Sequence, residues 1–272
     1  GSTKTPRLTL GYSPCPTHTY IFHALSRGLL ASMPASFTTE LHDVETLNQM
    51  AFENRLDITK LSFFAYLKCK ANYQLLSSGA ALGYGCGPVV VARKKFTAAD
   101  ISGLRIALPG EWTTAHLLFR LWAPDADERI FMPYDEIFNA LGTAKADVGV
   151  IIHESRFTFE DAGFKALADL GAWWETETGL PIPLGCIAAR RSLSSDLIHS
   201  VDKAIVRSLD YSRANSREVM PRVRRYAQEM ADGVLQAHID TFVNDFSRDI
   251  GPEGRKAILR LEQMARERGI LK

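Results

Sequence analysis

His153 follows the run Val148-Gly-Val-Ile-Ile, five small or apolar residues of strand character, and its place invites chemistry more than any other residue's. A histidine that emerges where a buried strand ends is partly desolvated, which favours the neutral imidazole and suits a general base near pH 7. A base of that kind contributes about 10²–10⁴ in rate. A structural histidine bonding a backbone carbonyl fits the same position, and the residue types alone leave both roles open. The string His153-Glu154 does not extend to a zinc motif, because position 157 is phenylalanine where that motif needs its second histidine. His23, His42, His116, His199 and His238 show no ligand spacing, and are expected to be satisfied in the core or exposed.

The other candidates lie at presumed strand ends and helix starts. They are Ser13 to Thr19 (with Thr17 and His18), the helix start Glu45-Thr-Leu-Asn48, the strand end Thr59-Lys60-Leu61-Ser62, and Thr113-Thr114. Lys60 is a candidate counter-ion for an acidic substrate, or a surface lysine. Thr113 and Thr114 can offer hydroxyls and backbone N–H groups to a carboxylate. They can equally cap a helix, and one threonine can cap while the other points outward. Trp173-Trp174 can stack on a ligand but fits core packing better. The glycines at 79, 83, 85 and 87 match neither a dinucleotide fingerprint nor a P-loop, and no Ser-His-Asp order, nucleophile elbow or kinase set is present.

The elements that must position these residues are signalled by an internal echo. Asp57 and Asp147 each close a helical stretch and open a short buried strand. At that 90-residue offset Leu47, Met50, Leu56, Ile58 and Leu61 fall on Ile137, Ala140, Ala146, Val148 and Ile151. Helical apolar spacing followed by a β-branched run is the pattern of a parallel α/β unit. A second echo, offset by 96, sets Leu8-Thr-Leu10 and its Pro-containing loop against Leu104-Arg-Ile106 and Pro109 to Thr114. Helices are predicted to follow over Tyr20 to Leu30 and Ala115 to Leu121. Two ordinary βα units would give the same signal, but two lobes of like topology account for more of it.

Gly85 to Arg93 then reads as a strand leaving the first lobe, and Pro181 to Arg190 as the strand returning. Helical periods over Leu197–Ala214, Val219–Met230, Val234–Phe246 and Glu253–Arg268 are expected to pack on lobe one. The fold class is α/β: a two-lobed, type II periplasmic-binding-protein-like arrangement of mostly parallel sheets flanked by helices, with a cleft between lobes. Lobe one is predicted to comprise residues 1–92 and 189–272, and lobe two residues 93–188. Ligands of open α/β sheets sit beyond the carboxyl ends of the strands.

Composition narrows the function classes. Thirty-two Lys and Arg against 31 Asp and Glu leave a formal charge of +1, with no basic excess for nucleic acid or a membrane surface. No apolar run reaches the roughly 18 residues that span a bilayer. Cys15, Cys69, Cys86 and Cys186 lack paired spacing and read as free thiols in a reducing, cytoplasmic compartment. Gly1-Ser2 resembles a tag-removal scar. From the residues alone the chain is a two-lobed binder of a small organic acid with one plausible base.

Several strings in this order are more specific. Ser13-Pro-Cys-Pro, Asp43-Val-Glu-Thr-Leu-Asn48, Thr59-Lys-Leu-Ser62, Thr113-Thr114, Ile151-Ile-His-Glu-Ser-Arg-Phe-Thr158, Asp169-Leu-Gly-Ala-Trp-Trp-Glu175 and Pro183-Leu-Gly185 together resemble the 1,4-dihydroxy-6-naphthoate synthase family, over residues 8 to 190. The resemblance implies the futalosine route to menaquinone, in which cyclic dehypoxanthine futalosine is cleaved to 1,4-dihydroxy-6-naphthoate without metal or organic cofactor. It implies that the histidine matching His153 accepts the proton, and that Lys60, Leu61, Ser62, Thr113 and Thr114 lie in substrate-contacting segments. Thr17, His18 and Asn48 join them as candidate binding residues. One departure stands out: the family usually carries Asn-Asp after Ser-Pro-Cys-Pro, where this chain has Thr17-His18. His18 must then replace that carboxylate, act as a second titrating group, or mark a different substrate. A non-catalytic solute-binding protein of the same fold and the sister chorismate dehydratase are the competing readings, and the Ile-Ile-His-Glu-Ser-Arg string argues against the second.

Overall fold

The computed structural model describes residues 4–227 and 230–272. Gly1-Ser2 and positions 228 and 229, within the helical period expected to run to Met230, lie outside the described residues. The chain forms two compact units, Gly1–Ala81 with Gly185–Gly251, and Leu82–Leu184 with Pro252–Lys272. In chain order the strands are β1 (Arg7–Tyr12), β2 (Ser36–Leu41), β3 (Ile58–Ser62), β4 (Tyr73–Leu75) and β5 (Ala81–Gly83). Then come β6 (Val89–Ala92), β7 (Ile106–Leu108), β8 (Arg129–Phe131), β9 (Val148–Ile151), β10 (Lys165–Asp169) and β11 (Ile182–Arg190).

The first sheet has the order β2-β1-β3-β11-β4, with β5 pairing on β11. β1 runs parallel to β2 and β3, whereas β11 is antiparallel to β3 and β4. The second sheet has the order β10-β6-β9-β7-β8. β7 runs parallel to β8 and β9, β6 is antiparallel to β9, and β10 is antiparallel to β6. Each sheet is therefore mixed: three parallel strands, then an antiparallel strand, contributed by β6 or β11. These are the two segments expected to cross between lobes.

The 90-residue echo has a physical basis in a repeated carboxylate clamp. In the first unit the backbone N–H of Thr9 donates to the Asp57 carboxylate at 2.9 Å, and its hydroxyl donates at 3.1 Å. In the second, the backbone N–H of Arg105 donates to Asp147 at 2.9 Å and its guanidinium forks onto the same carboxylate at 3.2 and 3.1 Å. Each donor immediately precedes the residue that registers with the first residue of the middle strand: Leu10 with Ile58, and Ile106 with Val148. The Arg105 hydrogen bonds hold the Asp147 carboxyl below the usual carboxylate range. Each aspartate thus ties two adjacent parallel strands together beside their first registered pair.

All ten apolar residues matched by the echo are buried. Leu47 and Met50 lie on the helix Val44–Phe52 before β3, and Ile137 and Ala140 on the helix Ile137–Gly142 before β9. The first core gathers Leu10, Ile58 and Ile187 of the sheet against Val201, Ile205 and Leu209 of the helix Ser195–Ala214. The second gathers Val91, Ala107 and Ile151 against Ile137 and Leu141.

Three boundaries differ from the sequence-based division, and at the return residues 185–188 belong to the first unit, because β11 pairs with β3 there. Val89–Ala92 belongs to the second unit, because β6 completes that unit's sheet between β9 and β10. The last helix, Gly251–Glu267, also falls almost wholly in the second unit rather than on lobe one. It buries Gly254, Ala257, Ile258, Leu261 and Ala265, and Glu253 accepts a hydrogen bond from Tyr84 of the same unit. Periodicity marks such a stripe but not the surface it covers. The period expected over Val234–Phe246 breaks into Asp232–Phe242 and Asp245–Arg248, with Asn244 capping the second piece. No described helix is long and apolar enough to cross a membrane.

Replacing Asp57 by alanine strands the Thr9 N–H and the Arg190 guanidinium that also pairs with it. The expected loss is about 1–3 kcal/mol of unfolding free energy, read by denaturant titration. A loss below about 0.5 kcal/mol would remove the clamp from the account.

Candidate functional site

β1 and β3 are adjacent and parallel, so the segments after them meet at one edge of the first sheet. β1 leads through Ser13 and Cys15 into the helix Pro16–Ile21. That helix begins four residues earlier than its apolar pattern suggests, because Pro16 is preset for the first helical position. It breaks at Phe22 and resumes over His23–Arg27. Thr17 and His18 are consequently fixed on a first helical turn rather than in a loop, and both are buried.

His18 Nδ1 lies 2.8 Å from Cys15 Sγ, 3.3 Å from Ser13 Oγ and 3.3 Å from Lys60 Nζ. The Ser13 hydroxyl donates to the Cys15 sulfur at 3.0 Å. Lys60 is 5% exposed on β3, so it is a core lysine and not a surface one. Burial pushes its ammonium below the ordinary lysine value, with the Cys15 and Cys186 thiols working the other way. Thr17 Oγ1 is 3.1 Å from Nδ1 of His238, which reaches in from the helix Asp232–Phe242. Burial, then the Lys60 charge, pushes the His238 imidazole down to about 3, so this ring is neutral at ordinary pH.

Ser62 and Asn48 form a second, interlocked pair in the same unit. The Ser62 N–H donates to Asn48 Oδ1 at 3.1 Å, and Asn48 Nδ2 donates to Ser62 Oγ at 3.2 Å. Ser62 also caps the helix Phe63–Cys69 by accepting from the Ala65 N–H. Alternation along β3 places the Lys60 and Ser62 side chains on one face and Leu61 on the other. Leu61 is fully buried, so that only its backbone remains available to a ligand on the Lys60 face.

In the second unit β7 and β9 stand in the same relation. After β7, Thr113 is the N-cap of the helix Thr114–Trp122: its hydroxyl accepts from the His116 N–H at 3.3 Å and donates to the Gly110 carbonyl at 2.8 Å. Thr114 donates its hydroxyl to the Leu184 carbonyl at 2.8 Å. β9 ends at Ile151, and His153 follows two residues later, half-buried, with φ +56°. Positive φ is uncommon outside glycine, although histidine adopts it more readily than most residues. The His153 ring sits edge-on against Tyr134 with centroids 4.9 Å apart. Tyr134 also hydrogen-bonds Glu154, whose carboxyl burial pushes above the usual range. Arg156 anchors this turn by donating to the Gly87 carbonyl at 2.6 Å and to Asp169 at 3.0 Å. Trp174 is wholly buried and its indole donates to the Pro181 carbonyl at 2.9 Å, a core role.

The sequence-derived candidates are thus brought together within each unit: Thr17, His18 and Lys60 around one buried cluster, Asn48 with Ser62, and Thr113, Thr114 and His153 on neighbouring strand ends. His238, Cys186, Tyr134 and Glu154 were not singled out. The alternation of β11 held a weak hint for Cys186, but nothing local connects His238 with Thr17 across 221 residues.

Solved structures define the class of fold. The chain superposes on the alkanesulfonate-binding protein of Xanthomonas axonopodis with a TM-score of 0.76 at 13% identity, over 100% of this chain and 96% of that one. It is a periplasmic-binding-protein-like α/β protein. A protein of Archaeoglobus fulgidus is more similar, with a TM-score of 0.92 and 31% identity over 97% of this chain and 98% of that one. Residues 8–267 match the menaquinone biosynthesis family. Two relatives named 1,4-dihydroxy-6-naphtoate synthase share 47% identity (Thermus thermophilus, 97% of this chain and 95% of the relative) and 40% identity (Streptomyces coelicolor, 97% and 94%). The chain belongs to the 1,4-dihydroxy-6-naphthoate synthase family of menaquinone biosynthesis, and it is an enzyme.

The depressed His238 makes folding pH-dependent. Above about pH 6.5 the ring is neutral in both states and nothing is lost. As pH falls from there toward about 3, the unfolded chain takes up a proton that the folded chain refuses, so stability drops. The contribution is of order 2 kcal/mol at pH 5. Denaturant titrations at pH 7.5 and pH 5 are expected to show His238→Gln losing less stability than the parent between the two. Equal losses would contradict it.

Proposed function

We propose that the enzyme converts cyclic dehypoxanthine futalosine into 1,4-dihydroxy-6-naphthoate, with His153 as the general base, and that it needs no metal or organic cofactor. The observation that carries this reading is the placement of His153. It is a half-buried imidazole on a left-handed turn just past the end of a central parallel strand, held against Tyr134. A ring kept in place by packing on its edge retains one orientation toward a substrate, which is what proton abstraction requires. Loss of that proton triggers fragmentation of a carbon–carbon bond, and the aromatic ring that results helps to drive the reaction forward. The family's function supports the reaction, and so does the supply of polar groups at the strand ends of each unit.

The other residues divide by what surrounds them. Lys60 and His18 are assigned to the substrate's carboxylate and Thr17 to holding that cluster against His238. Ser62 and Asn48 brace one another, so their part is to fix the strand end. Thr113 caps its helix and Thr114 bonds the Leu184 carbonyl, so the pair's part is to hold that helix start in place for ligand contact. Four free cysteines fit a reducing cytoplasmic setting.

The test is turnover. Wild-type protein incubated with cyclic dehypoxanthine futalosine is expected to produce the naphthoate, followed by its absorbance. His153→Ala is expected to lose about 10²–10⁴ in kcat while still binding substrate. Equal activity in the two proteins would remove His153 from the mechanism. His18→Ala is expected to lower kcat/KM about tenfold or more, as loss of a charge-assisted contact does; an unchanged value would make that position a bystander.

A further inference from the structure

The Lys60 environment has a consequence that goes beyond substrate contact. Groups face this side chain from four elements. Ser13 and Cys15 come from the segment after β1, Thr17 and His18 from the helix Pro16–Ile21, Cys186 from β11, and His238 from the helix Asp232–Phe242. Among the described residues no carboxylate pairs with Nζ, and its hydrogen-bond partner is His18 Nδ1 at 3.3 Å. A buried ammonium without a counter-charge is costly, and that cost weakens the amine's hold on its proton. The imidazole cannot supply the missing negative charge, because its only charged form is itself a cation. Nδ1 instead lies within hydrogen-bond reach of the Lys60 amine and the Cys15 thiol, while the Ser13 hydroxyl donates to the Cys15 sulfur. The cluster therefore holds a single positive charge at most, and lowers its cost only when an anion arrives. Cys15 is half-buried and Pro14 exposed, so the cluster reaches solvent on the side of this loop.

We propose that Lys60, His18 and Cys15 form a receptor for the carboxylate of an organic acid, and that filling it draws a proton from solution onto the Lys60–His18 pair. The proposal rests on the reading that the substrate carries a carboxylate, and it assigns the recognition of that group, and its pH dependence, to one cluster. The proton comes from water or buffer, and no bond to the ligand is made. Affinity for the anion is then greatest where the empty pair is already protonated, and falls as pH rises through the range in which only the filled pair keeps its proton.

The probe is 2-naphthoate, whose only titrating group is already ionised above pH 6, with 2-naphthamide as the uncharged control. Isothermal titration calorimetry between pH 7 and pH 9, in buffers of different ionisation enthalpy, reads the proton count. The wild-type protein is expected to take up a fraction of a proton rising toward about one, while affinity falls by up to about tenfold per pH unit. The amide is expected to bind at least about tenfold more weakly and without uptake. Lys60→Met is expected to abolish uptake. His18→Asp, which installs a carboxylate beside Nζ, is expected to abolish uptake and weaken anion binding about tenfold or more. Zero uptake by the wild-type protein across the range overturns the proposal, as does uptake that survives Lys60→Met, an amide that binds as tightly as the acid, or no binding of 2-naphthoate. Turnover of cyclic dehypoxanthine futalosine without proton uptake sinks the receptor and leaves the proposed reaction intact; uptake without turnover does the reverse.

Discussion

A lysine buried where, among the described residues, no carboxylate meets it is the constraint on which the first unit's site depends. Lys60 lies in the middle of a five-residue strand whose every residue is buried, between Thr59 and Leu61. A structural core position would be filled more stably by an apolar side chain, since desolvating an ammonium opposes folding. The neighbours soften this cost without cancelling it: an imidazole lone pair, two thiols and hydroxyl groups are weak partners for a cation. Such an arrangement makes sense when the missing charge belongs to a ligand, and it explains why Lys60 and Cys15 both approach His18 Nδ1.

The repeated topology is what delivers residues to such positions. In each unit a carboxylate at the start of the middle strand accepts the backbone N–H of its parallel neighbour, Asp57 from Thr9 and Asp147 from Arg105. Register is set at the amino ends, and the carboxyl ends of both strands are thereby level. The loops beyond them carry the polar chemistry: Cys15, Thr17 and His18 with Lys60 and Ser62 in one unit, Thr113 and Thr114 with His153 in the other. The same scaffold thus carries the proposed binding cluster in one unit and the proposed base in the other.

Much of this was legible in the sequence because its cause was local. The Asp57 and Asp147 echo, the buried strands behind Lys60 and His153, and the Thr113 cap all follow from periodicity and capping chemistry confined to a few residues. The family strings implied a proton-accepting role for His153, which residue types had left undecided. What stayed hidden was set by tertiary packing. The approach of His238 to Thr17 needs the helix Asp232–Phe242 folded onto the first turn of the helix Pro16–Ile21. The destination of the helix Gly251–Glu267 depends on which surface remains uncovered, and an apolar stripe is mute about that. The position of β6 in the second sheet follows from pairing with β9 and β10, strands that lie 56 or more residues further along. The early helix start at Pro16 was readable in principle, but the apolar pattern beginning at Tyr20 outweighed it.

The most direct test of the central claim is the protonation of Lys60 itself, followed through the Nζ resonance of protein labelled with ¹⁵N-lysine, with Lys60→Met supplying the assignment. Titration of the free protein is expected to show this one amine losing its proton below the ordinary lysine range, and 2-naphthoate is expected to shift that midpoint upward. An amine that titrates with the surface lysines, or a midpoint that the anion leaves unmoved, would contradict the account.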